Sequence, residues 1–232
     1  MSEDFFQELD ARMANYDLLC HPFYKAWAAG ELSRDDLREY ATDYYHHVAA
    51  FPAYLCKFAE RLPMGELRSA VLANMADENG EPAGLDEARK PHSELWLDFA
   101  EGMGAQRDVQ RDPIPEIRSL IEHFTKVAAE GSPEAALAAF YAYESQVPRV
   151  AEQKARGLRH LYGADEKTCA YFTLHITADR FHSHVWRQQL EKQLKRDGAN
   201  ADIALQAGEA AALSLWRALD GIEARRQSRV AA

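Results

Sequence analysis

Apolar residues recur at helical spacing through almost the whole chain, and Ala, Leu, Glu, Arg and Gln dominate with few β-branched runs. The pattern predicts helices over roughly 3–14, 16–29, 34–61, 65–79, 91–103, 114–130, 133–161, 166–195 and 203–225, and therefore an all-α fold. Start signals support the assignment. Ser33 precedes Arg34, Asp35 and Asp36, and Ser132 precedes Pro133 and Glu134, each placing a capping hydroxyl ahead of a helical run. Asp112 before Pro113 and Asp165 before Glu166 have the same form. The most polar irregular stretch, 79–91, carries two glycines and two prolines and reads as a loop.

No repeat, low-complexity tract or long linker divides the 232 residues, so a single domain over 1–232 is expected, with a mobile basic tail after about 225. With 47% hydrophobic residues the chain can bury a substantial core. The formal net charge of −10 disfavours nucleic acid and anionic membranes as partners. Cys20, Cys56 and Cys169 are widely spaced, odd in number and without a CxxC pair, which fits a reducing cytoplasm. The acidic N-terminus lacks the features of a signal peptide, and no run reaches membrane-spanning length.

Candidate chemistry concentrates in 170–186, where His175, Asp179 and His182 follow one another at spacings of four and three. On a helix these three side chains fall within roughly 60° of one another, a convergent set that suits zinc, manganese or iron. His184 points elsewhere by the same geometry. The surrounding residues are largely apolar, and polar groups directed into a core need partners. A dimetal carboxylate centre in a bundle draws ligands from several helices. Glu144, at the end of an apolar run, is the best further candidate, set against the plainer reading of an interhelical pair with an arginine. Asp77 or Glu78 would approach from one helix end and His92 from the start of the next. Pro148 predicts a kink after Glu144. Most of the ten tyrosines read as core or rim aromatics, and Lys154 reads by default as a snorkelling surface lysine, with amine donor or salt-bridge partner as alternatives.

Six blocks carry a resemblance: His21–Leu32, Tyr40–Tyr45, Ala50–Tyr54, Asp77–Gly80, Tyr143–Arg149, and Ala170–His175 with Ala178–His182. In order and near-family spacing over about 10–195, they resemble the CADD-like proteins, which belong to the haem-oxygenase-like dimetal oxidases and share a fold with TenA and PqqC proteins. The resemblance implies a haem-oxygenase-like helical bundle without haem, assembled as a homodimer. It implies two metal ions, Fe/Fe or Fe/Mn, working with O2 and an external reductant. It further implies formation of para-aminobenzoate for folate biosynthesis, by oxidative cleavage of the protein's own tyrosine. Glu144, His175, Asp179 and His182 fall on metal-ligand positions, as does His92. Tyr24 falls on the sacrificed tyrosine, Lys154 on the amine donor, and Tyr40 and Tyr171 on accessory tyrosines.

The chain departs from the family at the first carboxylate. Asp77 stands where members usually have Glu, with Glu78 beside it, and an insertion of about eight residues precedes His92. Asp77, Glu78 and Glu81 therefore remain alternatives. Two other functions are compatible with the residues: a dimetal oxidase acting on an external small molecule, and a protein-interaction bundle.

Overall fold

Small side chains set how this bundle packs. The computed structural model describes residues 2–81 and 89–230, and among these it contains ten α-helices and no strand. They are α1 (Ser2–Ala14), α2 (Pro22–Ala29), α3 (Arg34–Glu60), α4 (Glu66–Glu78), α5 (His92–Gly102), α6 (Pro115–Glu130), α7 (Pro133–Glu144), α8 (Val147–Tyr162), α9 (Glu166–Leu194) and α10 (Ala201–Val230). Most of the insertion ahead of His92 lies outside the described residues. Helix α7 is buried along nearly its full length between α9 and α10. Ala136, Ala138 and Ala139 on α7 and Ala211, Ala212 and Ala218 on α10 are fully buried, so the two backbones come close. At Gly208 of α10 a Cβ would stand 2.5 Å from Leu9 Cδ1, so a side chain there would make Leu9 of α1 give way.

The expected caps form at three of four places. Ser33 and Asp36 make a reciprocal capping box, and the side chains of Ser132 and Asp165 accept from Ala135 N–H and Thr168 N–H. Each such cap contributes about 1 kcal/mol. Asp112 does not cap: α6 begins at Pro115 behind Ile114, without a side-chain cap.

Two expected helices are interrupted. The run 16–29 divides into a 3-10 turn at Leu18–Cys20 and α2, because His21 is an extended N-cap and Pro22 supplies the fixed φ that starts a helix. The run 133–161 divides at Ser145 and Gln146 into α7 and α8. Pro148 has no N–H to offer the Glu144 carbonyl, so the proline breaks the helix where a kink was expected.

The C-terminal segment also differs from expectation. Helix α10 runs past 225 to Val230, because its arginines meet the acidic face of α3. Arg225 reaches Asp43 at 2.9 Å and Glu39 at 3.1 Å, and Arg229 reaches Asp36 at 2.9 Å. Among the described residues no helix is long and apolar enough to cross a membrane.

Candidate metal centre

Four helices bring six ionisable side chains to one point in the core. Glu78 ends α4, His92 opens α5, Glu144 ends α7, and His175, Asp179 and His182 share one face of α9. All six are at least nine-tenths buried. Glu78, His92 and His175 form one group whose ligand atoms lie within 4.8 Å of one another, and Glu78, Glu144 and His182 form a second. Glu78 belongs to both, as a carboxylate bridging two cations would.

The donors aim at a common space and not at each other. Nδ1 of His92 lies 2.9 Å from Glu78 Oε2, close enough for an ion pair, yet it makes no hydrogen bond of acceptable geometry. Nδ1 of His182 is likewise without a hydrogen bond, 3.4 Å from Asp179 Oδ1 and 3.9 Å from Glu144 Oε1. Buried polar atoms are seldom left this way, and lone pairs converging from imidazole and carboxylate fit a metal ion. The far sides of two rings are tied down. His175 Nδ1 donates to the Tyr171 carbonyl at 2.6 Å, leaving Nε2 for the centre. His182 Nε2 lies 3.1 Å from Asp77 Oδ2. A carboxylate or carbonyl behind the ring fixes tautomer and orientation in this way at metal sites.

Of the three carboxylates left open by the sequence, the structure brings Glu78 into the cluster. Asp77, one residue away and so turned by about 100° on the helix, sits behind His182, and Glu81 is exposed. His184 is exposed, as its spacing predicts. Glu144 has no arginine partner. Trp186 Nε1 donates to its Oε2, and Asn74 Nδ2 donates to its Oε1 at 3.4 Å. Sequence reading missed both donors, although Asn74 lies four residues before Glu78 and Trp186 four after His182, a spacing that shares a helix face.

Electrostatics follow from burial and pairing. Burial would raise Glu78, but His92 outweighs it and holds the carboxyl below its ordinary range. Burial, with Asp179 and Glu78 nearby, raises Glu144 well above that range. His175 is lowered by burial, so it is a neutral ring. Burial also opposes charge on His182, but the Asp179 and Asp77 carboxylates prevail and raise it to about 11.

A second polar cluster holds no acid. Lys154 Nζ, buried on α8, donates to the hydroxyls of Tyr24 at 2.5 Å and Tyr40 at 2.6 Å, which are themselves 3.1 Å apart. It lies 3.8 Å from the centroid of the Tyr24 ring. Burial drives its pKa well below the ordinary lysine value and pushes the Tyr24 hydroxyl up, so burial favours the uncharged form of both groups. The snorkelling surface position expected for Lys154 is thus corrected: Gly157 lets α8 approach so closely that a Cβ there would meet Trp27 Nε1 at 2.9 Å, drawing Lys154 into the core. Tyr171 stacks on His175 with centroids 3.9 Å apart. Tyr143 and Tyr171 line both the cavity beside Lys154 and the one lined by Glu78, Glu144, His175 and Asp179, forming the wall between them.

Comparison with known proteins places this arrangement. A family model described as iron-containing redox enzyme matches residues 38–216. The 4-aminobenzoate synthase of Chlamydia muridarum is 36% identical over 224 residues, covering 95% of this chain and 90% of that protein. The 4-aminobenzoate synthase of Nitrosomonas europaea is 36% identical over 230 residues, covering 94% and 90%. Among solved structures, a domain with a heme oxygenase-like fold from Shewanella denitrificans superposes with a TM-score of 0.79 at 19% identity, covering 97% of this chain and 93% of that one. The chain belongs to the iron-containing redox enzyme family, with a haem-oxygenase-like fold and the 4-aminobenzoate synthases among its relatives.

Proposed function

We propose that this chain is a dimetal oxidase that forms 4-aminobenzoate, with Tyr24 as the source of the ring and Lys154 as the source of the amine. The carrying observation is the contact between a buried amine and a phenol in a cavity of only about 20 Å³. A cavity of roughly 150 Å³ is needed for a benzene ring, so an external aromatic substrate has no room beside Lys154.

Glu78 would bridge two metal ions, Fe/Fe or Fe/Mn. His92 and His175 would complete one site, and Glu144, His182 and Asp179 the other. Bound there, the metals would supply O2 activation, drawing electrons from an external reductant. The chain's own residues do the rest. Burial keeps the lone pair on Lys154 Nζ, and the two hydroxyls hold it beside the Tyr24 ring. Tyr40 orients both partners, and the apolar wall of Trp96, Val150 and Phe172 excludes water from the amine. Asp77 steers His182 from outside the metal pair.

The test is peptide mass spectrometry after anaerobic iron loading, reductant and oxygen, with 4-aminobenzoate assayed in the same sample. Mass loss confined to Tyr24 and matched to product is expected, and Tyr24→Phe should keep its metal and make none. Product from Tyr24→Phe, or repeated turnover with Tyr24 intact, would sink this reading in favour of an external substrate.

A further inference from the structure

Among the twelve residues lining the Lys154 chamber only Val147, at the start of α8, is partly exposed. Beside it the wall is Leu18 of the 3-10 turn. On the other side of this wall lies a surface basin of about 220 Å³, lined by Met13, Asp17, Tyr141, Ser145, Gln146 and Arg149 among others. The α8 residues divide accordingly: Val147, Val150, Ala151 and Lys154 face the chamber, while Gln146, just before α8, and Arg149 face the basin.

Two side-chain contacts hold the wall closed. Gln146 Oε1 accepts from Leu18 N–H at 3.0 Å, and the two Arg149 terminal nitrogens each stand 3.3 Å from one oxygen of Asp17. The second contact is a guanidinium fork on a carboxylate, but a loose one, since strong charge-assisted pairs sit at about 2.7–2.9 Å. It is also wet, with the Arg149 side chain 57% exposed, and exposed pairs of this kind add little to stability. The other acid in the basin, Asp10, is already engaged by the Tyr141 hydroxyl at 2.9 Å and by Arg187 at 3.7 Å. Ser145 Oγ is buried there without a hydrogen-bond partner.

We propose that this basin is an exit subsite for a single-ring aromatic carboxylate, in which the ligand's carboxylate replaces that of Asp17 on Arg149 as it passes Leu18 and Gln146. The inference rests on the proposed function, because a benzoate made beside Lys154 must leave with its charge. A volume of about 220 Å³ admits one ring, where roughly 150 Å³ suffices for benzene. Exchange of one carboxylate for another at the same fork keeps Arg149 paired, leaves the Asp17 carboxylate to the Leu19 N–H at 3.1 Å and to solvent, and unties the 3-10 turn from α8 as the ligand arrives. The break between α7 and α8, where Pro148 removes a helical bond, places Ser145 and Gln146 outside regular helix.

The experiment is equilibrium dialysis of 4-aminobenzoate against the full chain, with 4-aminobenzamide as the uncharged control. Arg149→Gln should weaken 4-aminobenzoate binding about tenfold, and Asp17→Asn, which removes the internal competitor, should tighten it about threefold. Neither change should alter binding of 4-aminobenzamide. Opposite signs for the two variants separate exchange from a merely structural role, which would weaken binding in both. Unchanged affinity in Arg149→Gln, or weaker binding in Asp17→Asn, would overturn the subsite. A chain that shows the expected pattern but makes no 4-aminobenzoate would leave the subsite standing and remove the proposed function instead.

Discussion

Around Glu78 the bundle buries three carboxylates and three imidazoles; around Lys154 it buries one amine and two phenols with no carboxylate in reach. In the first cluster opposite signs meet, holding the Glu78 carboxyl below its ordinary range and raising His182 to about 11. The second has no counter-charge, and burial holds the Lys154 amine well below its ordinary value. Two ways of burying polarity thus give two settings, with Tyr143 and Tyr171 lining both: one cluster could hold a metal ion, the other disfavours charge on its amine.

The contrast breaks most visibly at the shared carboxylate. Glu78→Gln should weaken divalent metal binding by at least about a hundredfold, read as metal retained against a competing chelator, since both groups lose a charged ligand. Retention equal to the unaltered chain would mean that the two groups do not share Glu78. A smaller loss of roughly tenfold is expected for Asn74→Ala or Trp186→Phe, which free the Glu144 carboxylate without touching a ligand.

The mildest change should come from the uncharged side. Lys154→Met should leave metal uptake intact, abolish product, and stabilise the fold by about 1 kcal/mol at pH 7 in chemical denaturation. The sign with pH is fixed by linkage. Lys154 binds its proton more weakly folded than unfolded, so the unfolded chain holds more protons between the depressed value and the ordinary 10.5. The native lysine is therefore least favourable at low pH, and the gain from Lys154→Met should shrink as pH rises toward 10.5. A gain independent of pH would show that the amine stays charged in the core.

Much of this was legible in the sequence because helical periodicity is a local signal. Convergence of His175, Asp179 and His182 follows from spacing on one helix, and the structure puts them together with Glu144 and His92, as the family blocks imply. The choice between Asp77 and Glu78 was not legible. It depends on the rotation of α4 about its axis, which is set by packing against α3 and α9 and not by any residue within α4. Lys154 was misplaced by its residue type alone: what buries it is the close approach at Gly157, a contact with Trp27 across 130 positions of chain. The α7–α8 break was half visible, since Pro148 marks the place but not whether the helix bends or ends.

His21 ties the start of α2 to α10, far along the chain. Its Nδ1 accepts from Phe23 N–H at 3.1 Å and so caps the helix that carries Tyr24, while its Nε2 is tied to Asp220 at 3.1 Å and its ring packs edge-on against Trp216. Both anchors lie on α10. Chains fold from the N-terminus as they emerge, yet this contact joins positions 199 residues apart. The helix bearing Tyr24 is thus held in place by a helix that carries none of the six metal-ligand candidates, all of which lie before 183.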